Sequence, residues 1–212
     1  MKTKLISFFL MITLSTMALA IDKYTENMQK YISQVYTAQT FEQLQSAINA
    51  FDRIAQAEPT RWEPLYYSAF GNLMTAVRQQ EGSKKDQYLD LALASIEKAK
   101  KLVPGESEVI ALEGFVHMIR VTVDPATRGQ QFSGLALQTF GKAVQLNPNN
   151  PRALSLMAQM QMGTARFFNA PVTEACGVAK RALEKFDTFT SDNPLAPRWG
   201  KEMTEELLTS CN

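Results

Sequence analysis

The chain is 212 residues long and carries 22 basic and 21 acidic side chains, one histidine and two cysteines. So even a balance gives no long-range attraction to nucleic acid or to an anionic membrane surface. No tract is low in complexity, and the length suffices for one domain with its own core or for an elongated stack.

The first element is an address. Lys2 and Lys4 precede an apolar run from Leu5 to Leu14, and Ala18-Leu19-Ala20 has the small-x-small form that signal peptidase requires. The run is too short to anchor the chain across a bilayer. No cysteine stands immediately after the cut, which disfavours a lipid anchor. The sequence therefore predicts a signal peptide over residues 1–20, cleavage after Ala20, and a periplasmic or secreted chain in which residues 21–212 form a single domain. Removing the leader leaves 20 basic against 21 acidic residues, a balance of −1. No later segment is long and apolar enough to span a membrane.

Beyond the leader one spacing recurs four times: Ala47-Phe51-Pro59, Ala92-Ile96-Pro104, Ala136-Phe140-Pro148 and Ala182-Phe186-Pro194. After each of the first three prolines a second match follows, Leu65 and Ala69, Ile110 and Gly114, Leu154 and Ala158. Alanine or glycine lets antiparallel helices approach closely, and the larger apolar residue one turn later fills the space between pairs. Proline then ends each second helix, because it lacks the backbone donor and disfavours helix in the residue before it. The pattern predicts helices over 23–38, 42–57, 62–78, 86–102, 107–122, 131–146, 151–167, 173–190 and 198–210. Thr60 with Glu63 has the spacing of a capping box, and Asn150 before Pro151 suits a helix start. In the last helix Trp199, Met203 and Leu207 can face inward and Glu202, Glu205 and Glu206 outward, as a cap requires.

These positions resemble the tetratricopeptide repeat (TPR) superfamily across nearly all of residues 28–194. The stretches 146–154 and 194–200 look like those of small exported TPR-like proteins of Bacteroidetes. One departure stands out: the prolines are 45, 44 and 46 residues apart, against about 34 in the short form. The surplus falls between the helices of each pair, at Gln79–Lys85, Val123–Gly129 and Phe168–Val172. The resemblance implies an all-α solenoid of four antiparallel helix pairs with lengthened 44–46-residue repeats and a C-terminal capping helix. It also implies a non-catalytic interaction module, without cofactor, that holds a protein or peptide partner of the cell envelope in a concave groove. Carried over by register, the groove positions are Glu63, Tyr66, Phe70, Leu73 and Met74 in the second pair. The third pair supplies Glu108, Ala111, Phe115 and Met118, and the fourth Arg152, Ser155, Gln159 and Met162. Aromatic and methionine side chains there also suit a small apolar ligand in an enclosed groove. The same stripe reads as ordinary core if the longer helices curl more tightly.

Catalytic chemistry is hard to assemble from this inventory. His117 has Glu113 one turn before it, but two ligands without a third make no metal site. His117 also occupies an inter-helix position, where a packed, hydrogen-bonded side chain is expected. No Gly-rich phosphate loop, HExxH or GxSxG is present. Cys176 and Cys211 are an even pair in an oxidising compartment, and the expected helices place them level: about 20 Å out along one and about 20 Å back along the other. A Cys176–Cys211 disulfide is expected. Asp124-Pro125 reads as a loop turn, with Arg128 either pinning that loop to free helix-end carbonyls or meeting an anionic group on a partner. Arg78, Arg120 and Arg166 sit near helix C-termini, where a cation complements the helix dipole.

Overall fold

A computed structural model describes residues 23–211, so the leader expected over residues 1–20 and its cleavage site lie outside the described residues. Every regular element among the described residues is an α-helix: α1 over 23–37, α2 Phe41–Ala57, α3 Glu63–Arg78, α4 Gly82–Leu102, α5 Ser107–Val121, α6 Pro125–Leu146, α7 Pro151–Phe167, α8 Thr173–Asp187 and α9 Lys201–Thr209. Successive helices from α2 to α9 pack against one another, and α3, α5 and α7 also touch in series. The result is the stack of helix pairs that the repeat spacing predicts. No described helix is long and apolar enough to cross a membrane.

The signature positions pack as their spacing implies. Ala47, Ala92, Ala136 and Ala182 have no exposed surface, and neither do Phe51, Ile96 and Phe140 beside them. Gly114 marks the tightest approach: a Cβ built there would stand 2.5 Å from the Phe140 ring. Asn150 caps α7 by accepting from the backbone N–H groups of Arg152 and Ala153 at 2.9 and 3.1 Å, with Pro151 at the first helical position.

Several details differ from expectation, each for a local reason. The surplus in the second and third pairs is largely helix, because α4 begins at Gly82 and α6 at Pro125. Asp124 is the N-cap of α6, accepting from the Thr127 N–H at 3.2 Å, so Asp-Pro opens a helix instead of shaping a loop. Arg128 lies in that first turn and donates to both carboxylate oxygens of Asp86 at 2.8 Å, so it binds a carboxylate of its own chain and no helix-end carbonyl. Thr60 does not cap α3: Trp62 stands at the N-cap without a side-chain hydrogen bond. Finally, α8 stops at Asp187 and α9 starts only at Lys201, behind Gly200 in a left-handed conformation (φ 107°).

That last difference matters most. Residues 188–200 carry no helix: Pro194 opens a turn closed by the Ala196 N–H donating to the Asn193 carbonyl at 3.0 Å, and the segment forms a strap between α8 and α9 that reaches Tyr36 and Tyr67. Beyond it, Cys176 and Cys211 are joined in a disulfide with a Cα–Cα distance of 5.8 Å. Thr204 of α9 donates to the Ser155 hydroxyl at 2.7 Å, fixing the cap helix on α7 as well.

Candidate functional site

The face expected to be a groove, that of the first helices of each pair, is contacted by the strap at α1, α3, α5 and α7. The strap is held like a bound peptide. Tyr67 donates its hydroxyl to the Leu195 carbonyl at 2.7 Å, and the Arg198 N–H donates to the Tyr36 hydroxyl at 3.3 Å. Asn193 donates to Glu63 at 3.2 Å, and Leu195 is buried. The Trp199 indole N–H donates to the Tyr66 hydroxyl at 3.0 Å while its ring stacks on Phe70, with centroids 5.3 Å apart, and lies 5.8 Å from Phe115. Burial raises the pKa values of the Tyr66 and Tyr67 hydroxyls, so both stay protonated donors or acceptors across the accessible pH range.

Arg152 anchors the other end of the strap. Its side chain is 1% exposed and donates to Glu108 from Nε at 2.7 Å and from Nη2 at 2.6 Å. The strap's Phe189 ring covers the guanidinium, its centroid 4.5 Å from Cζ, and Phe186 approaches at 5.8 Å. Burial is the largest single influence and opposes the charge, but the Glu108 hydrogen bonds together with the attraction of Glu108 and the nearby tyrosines leave the arginine pKa raised. The bidentate pair is thus dry, oriented and roofed by an aromatic ring.

The residues carried over by register therefore divide into two sets. Tyr66, Phe70, Phe115 and Arg152 are buried against the strap, and Glu63, Leu73, Ala111 and Ser155 are buried with them. Met162 is buried further along, packed with Cys176 near Leu207. Met74, one turn past Phe70, Met118, three residues past Phe115, and Gln159 of α7 are only half-buried. Trp199 and Met203 are half-buried too, and with the two methionines they pack on one core cluster. Sequence reasoning placed Trp199 in the cap helix. The two prolines three residues apart, followed by Gly200, were the signal that the chain there leaves the helix.

Nothing comparable surrounds the histidine. His117 is 9% exposed and stacks on Phe132 at 6.4 Å, yet its Nδ1 has no hydrogen-bond partner among the described residues, contrary to the expected hydrogen-bonded histidine. Burial depresses its pKa, partly offset by Glu113. Glu113 itself pairs with Lys100 at 2.8 Å. No group of three or more His, Cys, Asp or Glu side chains that would hold a metal occurs among the described residues.

No family model matches this chain, and no curated protein does. Among solved structures, the HusA haemophore from Porphyromonas gingivalis is similar, with 26% identity, a TM-score of 0.80, and coverage of 89% of this chain and 92% of that one. A thermophilic TPR protein from Thermus thermophilus shares 15% identity with a TM-score of 0.58, over 93% of this chain and 96% of that one, which bears on the fold alone. The chain has a TPR-like, all-α fold, and it resembles a protein of the Bacteroidetes.

Proposed function

We propose that the protein is an exported, non-catalytic binding module that captures a planar, largely apolar ligand of the haem class on its concave face. The observation that carries this reading is the likeness to a haemophore at 26% identity over nearly the full length of both chains. The half-buried side chains of Met74, Met118, Met203 and Trp199, which pack on one core cluster, support it. An indole ring and adaptable thioethers suit the face of a flat apolar molecule. The leader pattern and the disulfide support export, with residues 1–20 removed and 21–212 working as one unit. Titrating the mature protein with haemin and with metal-free porphyrin, followed by absorption and by tryptophan emission, tests the reading. Saturable 1:1 binding with quenched emission is expected, weakened about tenfold by Met118→Glu, equivalent to about 1.4 kcal/mol. A flat titration at micromolar haemin defeats it.

A second reading, a protein or peptide partner of the cell envelope, has its own observation. The groove already holds residues 193–199 through main-chain hydrogen bonds at Leu195 and Arg198, as a peptide-binding face does. Under that reading a synthetic peptide of residues 189–200 binds a Trp199→Ala variant whose strap is loosened. Failure of that peptide to bind removes the second reading and leaves the first untouched.

A further inference from the structure

On the other side of α3 lies a recess that the concave site does not use. α2 and α4 both pack on α3 but do not touch each other, and between them runs a groove of about 710 Å³. Its floor is Ser68 and Asn72 of α3, which fall about 200° around that helix from Tyr66 and Phe70 at about 100° per residue. We propose that this groove is the docking site for an amphipathic helix of a partner protein, about three turns long, with a small or apolar stripe and acidic side chains along its α4 edge.

Three observations carry the assignment. First, both walls are helical over about three turns, from Gln45 past Asp52 to Gln56 on α2 and from Leu91 past Ala94 to Leu102 on α4. Small side chains such as Ala55 and Ala94 let a third helix approach to ordinary packing distance, about 8–10 Å between axes. Second, the α4 edge exposes apolar surface with no use in the fold: Leu91 is 53% exposed and Leu102 38%. Isolated leucines need no explanation, but two on one groove edge form a docking strip. Third, the polar groups are arranged for a partner. Lys98 and Lys101 line the same edge, and neither has an ion-pair partner among the described residues. On the floor, Ser68 donates to Asp52 at 2.6 Å. Asn72, 4% exposed, spends its amide nitrogen on the Ser68 carbonyl at 3.0 Å, and its own side-chain oxygen accepts no hydrogen bond among the described residues. A helix that brings carboxylates to the lysines and a donor to Asn72 satisfies all of these at once.

The test uses the mature, disulfide-bonded protein and a display library of helices about 18 residues long, patterned with a Leu/Ala stripe and random flanks. Selected helices are expected to carry Asp or Glu along one edge. They should bind Lys98→Glu/Lys101→Glu at least tenfold more weakly than the parent, and show no measurable binding to Ala94→Trp, an exposed position where the larger ring fills the groove without disturbing the core. Circular dichroism of both variants checks that they are folded. An unenriched library overturns the proposal, and so do helices that bind Ala94→Trp as tightly as the parent. Sedimentation of the parent alone supplies the remaining outcome: a dimer that Ala94→Trp dissociates makes the occupant a second copy and overturns the partner helix.

Discussion

Arg152 and His117 show how differently two buried titratable side chains can be accommodated. Arg152 has Glu108 for its charge and Phe189 for its face. Removing one member of a buried pair strands the other, at a cost of about 3–5 kcal/mol, whereas replacing both with apolar groups of similar volume is often neutral. Arg152→Met is therefore expected to lose about 3–5 kcal/mol of unfolding free energy, and Arg152→Met/Glu108→Leu to recover most of it, as measured by a double-mutant cycle in denaturant. His117 has no such partner for Nδ1, and the charged groups facing it are Glu113, Lys100 and Arg120. Its folded pKa lies below the ordinary value of 6.5, so acid favours the unfolded chain, which binds the proton more readily. The stability of the neutral form is complete above about pH 6.5 and is lost as pH falls through the depressed folded value. Replacing the ring with an uncharged aromatic, His117→Phe, should flatten this part of the acid limb. Denaturant midpoints of parent and variant at pH 7.5 and pH 5 check it: an unchanged difference between them refutes the assignment.

Among the elements, the α5–α6 pair and α9 make contrasting demands. Gly114 leaves no room for a side chain, because a Cβ would meet the Phe140 ring at 2.5 Å on a residue with no exposed surface. Gly114→Leu should cost at least the roughly 1–3 kcal/mol typical of overpacking, read as a lowered denaturant midpoint. By contrast α9 is short and has Thr204 as its only buried residue, so its placement leans on the disulfide. A crosslink across that separation of 35 residues is worth about 3–4 kcal/mol in the chain-entropy model. Reduction should remove hydrogen-exchange protection from 201–211 while tryptophan emission stays unchanged, since Phe70, Phe115 and Tyr66 hold the Trp199 ring independently. Loss of protection across α3–α6 would contradict this picture.

At the scale of the whole molecule, the strap changes what kind of stack this is. Repeat proteins contact mainly their neighbours, so their stability is close to a sum along one dimension. Here Tyr67 bonds Leu195 across 128 residues and Tyr36 meets Arg198 across 162, so the last segment is fastened to the first two pairs. One cooperative unfolding transition is expected, coincident for far-UV circular dichroism and tryptophan emission. A Leu195→Gly/Trp199→Ala variant should separate the melting of the N-terminal pairs from that of the C-terminal ones. It should also bind several-fold more of an apolar dye through the uncovered face. A single unchanged transition in that variant would show that the strap couples nothing.

Much of this was local and therefore legible in the chain itself. The alanines at 47, 92, 136 and 182 and the prolines that follow them set the helix pairs, because close packing and helix termination are decided by a few residues at fixed spacing. Cys176 and Cys211 could be paired because helix rise converts residue counts into distance. The covering of the first helices by the strap was beyond such reasoning. Register carries Tyr66, Phe70, Phe115 and Arg152 over as one stripe, and the strap contacts all four, but periodicity cannot say what covers such a stripe. Whether a stripe of apolar residues is groove or core depends on a segment more than a hundred residues away, whose two prolines and one left-handed glycine turn it back across the stack. That contact is made only when the helices have assembled, and so it was decided by tertiary structure alone.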